Sequence, residues 1–160
     1  MEPTGCFFRR TPREMVIGDF NLDGLNDVFV GFTNATGRPV PDLRHEMFWG
    51  SSDGSLKKEI LSYANSSIGQ LFDITPVDWS EDGDIDLYLC HDTPQIQWRN
   101  AMLINNGEGQ MMHGMVDGVN ISVDCMGSDF ADVDADSDLD LIVGDSQRLI
   151  LLEQIENSYI

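Results

Sequence analysis

Asp78-Trp79-Ser80-Glu81-Asp82-Gly83-Asp84-Ile85-Asp86 runs straight into Leu87-Tyr88-Leu89, so an oxygen-rich turn hands the chain to an apolar strand. Asp, Ser and Gly favour turns because they tolerate or stabilise tight backbone bends, whereas Leu-Tyr-Leu suits a buried pleat. The pattern occurs twice more. Asp19-Phe20-Asn21-Leu22-Asp23-Gly24-Leu25-Asn26-Asp27 precedes Val28-Phe29-Val30-Gly31, and Asp132-Val133-Asp134-Ala135-Asp136-Ser137-Asp138-Leu139-Asp140 precedes Leu141-Ile142-Val143-Gly144. The loops start 59 and then 54 residues apart. That period is too long for one hairpin and suits a four-stranded unit.

A second mark lies between the loops. Ser52-Asp53-Gly54-Ser55-Leu56 and Gly107-Glu108-Gly109-Gln110-Met111 read as tight turns, preceded by the apolar strands Glu46–Trp49 and Ala101–Ile104. Each unit then parses as strand, acidic loop, strand, longer connection, strand, glycine turn, strand. No segment carries a 3.6-residue apolar period over 11 or more residues, so the class is all-β. The parse divides a single repeat region, 1–160, into a last strand of a preceding unit at 1–13 and units at 14–66, 67–119 and 120–160. The last is truncated, with a third strand at Leu149 to Leu152. Beginning and ending mid-unit, the chain reads as a window from a longer array, or as one whose two ends complete a unit together.

The formal charge of −19 excludes nucleic acid and anionic membrane surfaces as natural partners. The acid is not spread evenly. The three loops hold three, five and five acidic residues, thirteen of the 28, without one Lys or Arg. Divalent cations are the simplest answer to such clustering. No run approaches 18 apolar residues, and Met1 to Arg10 shows no signal-peptide core, so neither a membrane span nor a leader is legible. Cys6, Cys90 and Cys125 leave open one disulfide with a free thiol or three buried thiols. Cys90 closes an apolar strand, which favours buried thiols.

Calcium takes 6–8 oxygen ligands from carboxylates, amides, hydroxyls, carbonyls and water. A loop offering side-chain oxygen at positions 1, 3, 5 and 9 and a carbonyl at 7 wraps one ion. The ligands would be Asp19, Asn21, Asp23 and Asp27 with the Leu25 carbonyl, then Asp78, Ser80, Asp82 and Asp86 with the Asp84 carbonyl. In the third loop they would be Asp132, Asp134, Asp136 and Asp140 with the Asp138 carbonyl. Position 6 asks for Gly, because the chain must turn there with positive φ, and Ser137 meets that demand only under strain. Apolar positions 2 and 8 (Phe20, Trp79, Val133, Ile85, Leu139) face the core in this reading. The absence of His and Cys ligands argues against zinc. EF-hands need Glu at position 12, where this chain has Val30, Leu89 and Val143.

The stretches Gly18–Gly24, Leu103–Gly109 and Asp129–Asp136 resemble the FG-GAP or VCBS repeat family, the blades of integrin alpha-subunit propellers and of many secreted bacterial proteins. The resemblance covers about Thr4 to Glu153. It implies a partial β-propeller of about three four-stranded antiparallel blades, incomplete at both ends. It also implies one calcium ion, up to three in all, in the loop joining the first two strands of each blade. Ser137, Asn21, Ser80 and the lack of a literal Gly-Ala-Pro depart from the pattern and bear on the affinity of each site.

The reading of function that follows is a non-enzymatic, calcium-stabilised binding, adhesion or scaffold module of an extracellular or periplasmic protein. Its partners would be a protein or carbohydrate ligand, or neighbouring blades of a longer chain. The alternative is a propeller domain of a secreted enzyme acting on polysaccharide or peptide, with His45, His91 or His113 beside an acid. Against it, His91 next to Asp92 reads as a surface strand end, His113 as an outer-strand residue, and His45 as the lead into a core strand. Trp49, Trp79 and Trp98 read as core packing rather than a sugar-stacking platform. Lys57 and Lys58 read as a solvated face that blunts a sheet edge. The Gly- and Pro-rich segment from Thr33 to Leu43 is the expected partner-binding loop.

Overall fold

The computed structural model describes residues 10–34, 44–61, 70–92, 99–114, 116, 118–155 and 158–159. Those residues form strands and turns, with no helix among them. The first sheet contains β1 (Arg10–Gly18), β2 (Asp27–Asn34), β3 (Glu46–Gly50) and β4 (Leu56–Ile60), antiparallel and in chain order. The second repeats this with β5 (Gln70–Val77), β6 (Asp86–Asp92), β7 (Ala101–Ile104) and β8 (Met112–Gly114). The third contains β9 (Cys125–Ala131), β10 (Asp140–Asp145) and β11 (Leu149–Leu152). These are consecutive blades of an open, partial propeller. Among the described residues the third has three strands rather than four. After it the chain continues into a small hairpin, β12 (Gln154–Ile155) and β13 (Ser158–Tyr159), which has no counterpart in the expected repeat.

Alternation along β6 explains how the blades stack. Every residue from Asp86 to His91 is buried, because both faces of this strand meet another sheet. Leu87 and Leu89 join Phe20, Phe29, Met47, Leu71, Ile74 and Leu103 in a core between the first and second sheets. Tyr88 and Cys90 point the other way, into a core with Met102, Val119, Cys125, Leu141 and Val143. Each fully buried large apolar side chain contributes about 1.5–3 kcal/mol. The buried Tyr88 hydroxyl is paired twice: it donates to the Val119 carbonyl (3.0 Å) and accepts from Asn100 Nδ2 (2.9 Å).

Repeat-equivalent hydrogen bonds tie each longer connection to its blade. The amide five residues beyond the last loop aspartate is capped from just before the third strand. Phe32 N–H donates to His45 Nδ1 (3.1 Å), His91 N–H to Asn100 Oδ1 (2.9 Å), and Asp145 N–H to the Arg148 carbonyl (2.8 Å). Three different residues do one job, so no sequence pattern announces it.

The structure corrects the expectation for the cysteines. Cys90 and Cys125 form a disulfide that links β6 to β9 and closes a 35-residue separation. They are core residues and bonded as well, since packing two sheets face to face brings together residues that composition treats as independent. His91 is likewise not a surface residue: it is 5% exposed, and its ring Nδ1 lies 3.0 Å from the Arg99 carbonyl. Burial pushes its pKa down to about 4, against an upward pull from Arg99 and with a smaller downward push from His113. The outer strand β4 is exposed throughout, as its Lys pair suggested, though Lys58 reaches back to Glu46 (2.7 Å). The segment 1–9, Cys6, Trp98 and nearly all of the Thr33–Leu43 loop lie outside the described residues.

Candidate metal centres

In all three blades the acidic loop joins the first two strands, and the loops are wired alike. The position-1 aspartate accepts the amides of positions 5 and 6. Asp19 receives Asp23 N–H (3.0 Å) and Gly24 N–H (2.8 Å), Asp78 receives Asp82 (3.1 Å) and Gly83 (3.0 Å), and Asp132 receives Asp136 and Ser137 (both 3.1 Å). The position-5 aspartate accepts the amide of position 7 in each: Leu25 to Asp23, Asp84 to Asp82, Asp138 to Asp136.

Aiming those amides inward requires a tightly coiled backbone. Position 6 is left-handed, with φ of 84° at Gly24, 90° at Gly83 and 82° at Ser137. Only Gly adopts this without steric cost, so Ser137 is strained by about 1–2 kcal/mol. Position 4 is left-handed too, at Leu22, Glu81 and Ala135, which the sequence pattern hid because those residue types ordinarily avoid that region.

The position-9 aspartates are nearly inaccessible, at 0% for Asp27 and Asp86 and 1% for Asp140. One oxygen of each accepts the position-2 amide: Phe20 to Asp27, Trp79 to Asp86, Val133 to Asp140, all at 3.0 Å. The other accepts an amide beyond the third strand or at its end, from Gly50 (2.8 Å), Asn105 (2.7 Å) or Gln154 (3.1 Å). Sequence reasoning assigned these residues a metal role and missed this one, which ties the loop to the third strand. The signal was an Asp where an alternating strand begins.

The third loop makes the fit to a cation clearest. Carboxylate oxygens of Asp132, Asp134 and Asp136 all lie within 4.8 Å of one another, the one such acidic group among the described residues. Asp140 stands outside this group. The first and second loops place Asn21 and Ser80 at position 3, so their acidic side chains do not form a triplet of this kind. Asn21 turns its amide nitrogen to Asp23 Oδ2 (3.1 Å) and its oxygen to the Asp23 amide (3.2 Å). An oxygen that accepts one amide keeps a lone pair, so the loop's own wiring leaves room for a ligand bond. The donor set is all oxygen, as calcium prefers.

Electrostatics agree. Desolvation first, then the neighbouring Asp136, Asp140 and Asp134, pushes Asp138 up to about 6, and its Oδ1 is enclosed without a hydrogen-bond partner. Asp134 and Asp84 are raised by desolvation and neighbouring carboxylates. Burial raises Asp86 against the pull of three amides. Asp136 is lowered, mainly by the Asp138 amide. Such crowded carboxylates resist ionisation, and a cation reverses that resistance. Val133, expected to face the core, is 49% exposed, because the third loop lies open to solvent.

No curated protein matches the chain. The FG-GAP-like repeat family matches residues 19–89, from the first residue of the first acidic loop through the second loop and into β6. That is a little more than one 59-residue period of the structure, shorter than the Thr4–Glu153 span suggested by the sequence motifs. Blade architecture, loop position and strand order all agree with the match of residues 19–89 to an FG-GAP-like repeat.

Proposed function

We propose that this chain is a calcium-stabilised binding or scaffold module of an extracellular or periplasmic protein, with calcium in a structural role. The observation that carries the reading is the identical wiring of three acidic loops, the third with Asp132, Asp134 and Asp136 converged. Side-chain oxygens of positions 1, 3, 5 and 9 and the position-7 carbonyl would hold the ion. The ion would supply positive charge where the fold concentrates acid. Even spacing over the blades favours a structural role over a catalytic one. Buried His45 and His91 support a non-enzymatic reading, since neither ring reaches solvent to meet a substrate.

A compartment rich in calcium fits the arithmetic. Extracellular modules bind calcium with dissociation constants of about 10⁻⁴–10⁻³ M. At millimolar calcium a site of about 10⁻⁴ M adds about 1.4 kcal/mol, and three add about 4, a large share of a typical margin of about 5–15 kcal/mol. The Cys90–Cys125 disulfide supports the same location, because such bonds persist in oxidising compartments. Thermal unfolding of metal-free protein titrated with calcium tests the reading. The melting temperature should climb with calcium and fall on chelation, and a folded protein indifferent to both would overturn it.

A further inference from the structure

The first and second blades enclose a groove of about 550 Å³, walled by Asn21, Trp49, Glu59, Glu108, Gly109 and Gln110. Trp49 is fixed from both sides. Its Nε1–H donates to Glu59 Oε2 (2.8 Å) within the first blade. Its six-membered ring rests on Gly109 of the second, a residue with φ of 78° where a Cβ would collide with the ring. The indole is therefore held in place as part of the wall, with its polar edge already paired.

The charges in this groove are one-sided. Glu59 and Glu108 are both exposed, and among the described residues no Lys or Arg lines it. Both carboxylates lie outside the three acidic loops, so calcium there leaves them uncompensated. Three calcium ions would take the formal charge from −19 to −13, still strongly anionic. Negative clefts concentrate cations, and an indole beside them adds attraction for an ammonium or guanidinium group. Gln110 adds a neutral hydrogen-bonding group for a peptide backbone.

We infer that the groove captures a lysine or arginine side chain of a partner peptide, with Glu59 and Glu108 as counter-charges and Trp49 as the wall. This names the partner class for the binding module proposed above and needs no particular metal occupancy. Lys57 stands directly opposite Trp49 in the β3–β4 pairing, a like charge for the incoming cation beside the groove rather than in its lining.

The test is anisotropy with a fluorescein-labelled peptide of alternating glycine and arginine, in millimolar calcium. E59Q/E108Q should weaken binding by about tenfold or more, as loss of a close charge pair does. D129N/E153Q, which removes two exposed charges on the third blade, should cost less than about twofold through bulk screening. K57A should tighten binding. Equal losses in both double variants would reduce the effect to general polyanion attraction and overturn the proposal. So would Trp49-dependent binding of a neutral oligosaccharide that is indifferent to E59Q/E108Q. A melting temperature insensitive to calcium alongside an intact peptide titration would defeat the metal reading and leave the groove standing.

Discussion

The junction between the first two blades and the junction between the second and third use the same repeat positions but different chemistry. The first closes by shape. Gly18 lies under Ile85, Gly31 under Leu71 and Ile74, and Gly109 under Trp49, so missing β-carbons let one sheet seat the other. One cross-blade hydrogen bond, Asn105 Nδ2 to the Phe20 carbonyl (2.8 Å), helps to fix it. The second junction is fastened by polar and covalent ties. Asp73 Oδ2 accepts the Ser128 amide (3.0 Å), the Thr75 and Ser128 hydroxyls meet at 2.6 Å, and Cys90 is bonded to Cys125. In β9 only Cys125 is buried, and it is the residue that carries the bond. Strand β9, with its single buried residue, is held by a cross-link, while β10 of the same blade gives Leu141 and Val143 to the apolar core behind it.

Breaking the disulfide should have the largest effect. Loop-closure entropy for a 35-residue separation gives about 3–4 kcal/mol, so C125S should lower denaturant stability by that order. Hydrogen exchange should quicken in β9 and β10 and stay unchanged in β2 and β3. Equal loss in both pairs would erase the distinction between the junctions.

Acid should strike the other junction. Alternation puts His91 on the Leu89 side of β6, facing the first blade. Its folded pKa of about 4 lies below the ordinary 6.5, so between those values the unfolded chain binds the proton and the folded one does not. Stability is then complete above about pH 6.5 and falls as the pH drops toward 4, by about 3 kcal/mol. Denaturant titrations in saturating calcium should show this slope, and H91Q should flatten it.

Filling a glycine cleft should cost less. G31A drives a methyl into the ends of Leu71 and Ile74, side chains able to give way, and should destabilise by about 1–3 kcal/mol. An unchanged melting temperature would mean the first junction is looser than its packing implies. The smallest effect concerns the loops. S137G should stabilise by about 1 kcal/mol and G83S destabilise by a similar amount, since both positions have φ above 80°. Calcium calorimetry on S137G would then separate backbone strain from carboxylate number in setting affinity.

Much of the fold was legible because strand alternation and turn chemistry are local. Ala101–Ile104 appears as a strand with those bounds, and both glycine turns sit where Gly54 and Gly107 placed them. The site was legible in composition and less so in role. Asp27, Asp86 and Asp140 looked like ligands and proved also to be buried ties to the third strand, because their second partners lie 14 to 23 residues away. His91 looked exposed because Asp92 follows it, while its burial comes from strands paired on either side.

The sequence by itself determined the repeat, the all-β class and the oxygen-rich loops, since each is written in residues a few positions apart. Tertiary structure alone decided the Cys90–Cys125 pairing, the burial of His91, the groove beside Trp49 and the different fastening of the two junctions. These depend on which face of one sheet meets which face of the next, and that is a property of packing between units rather than of any one unit's pattern.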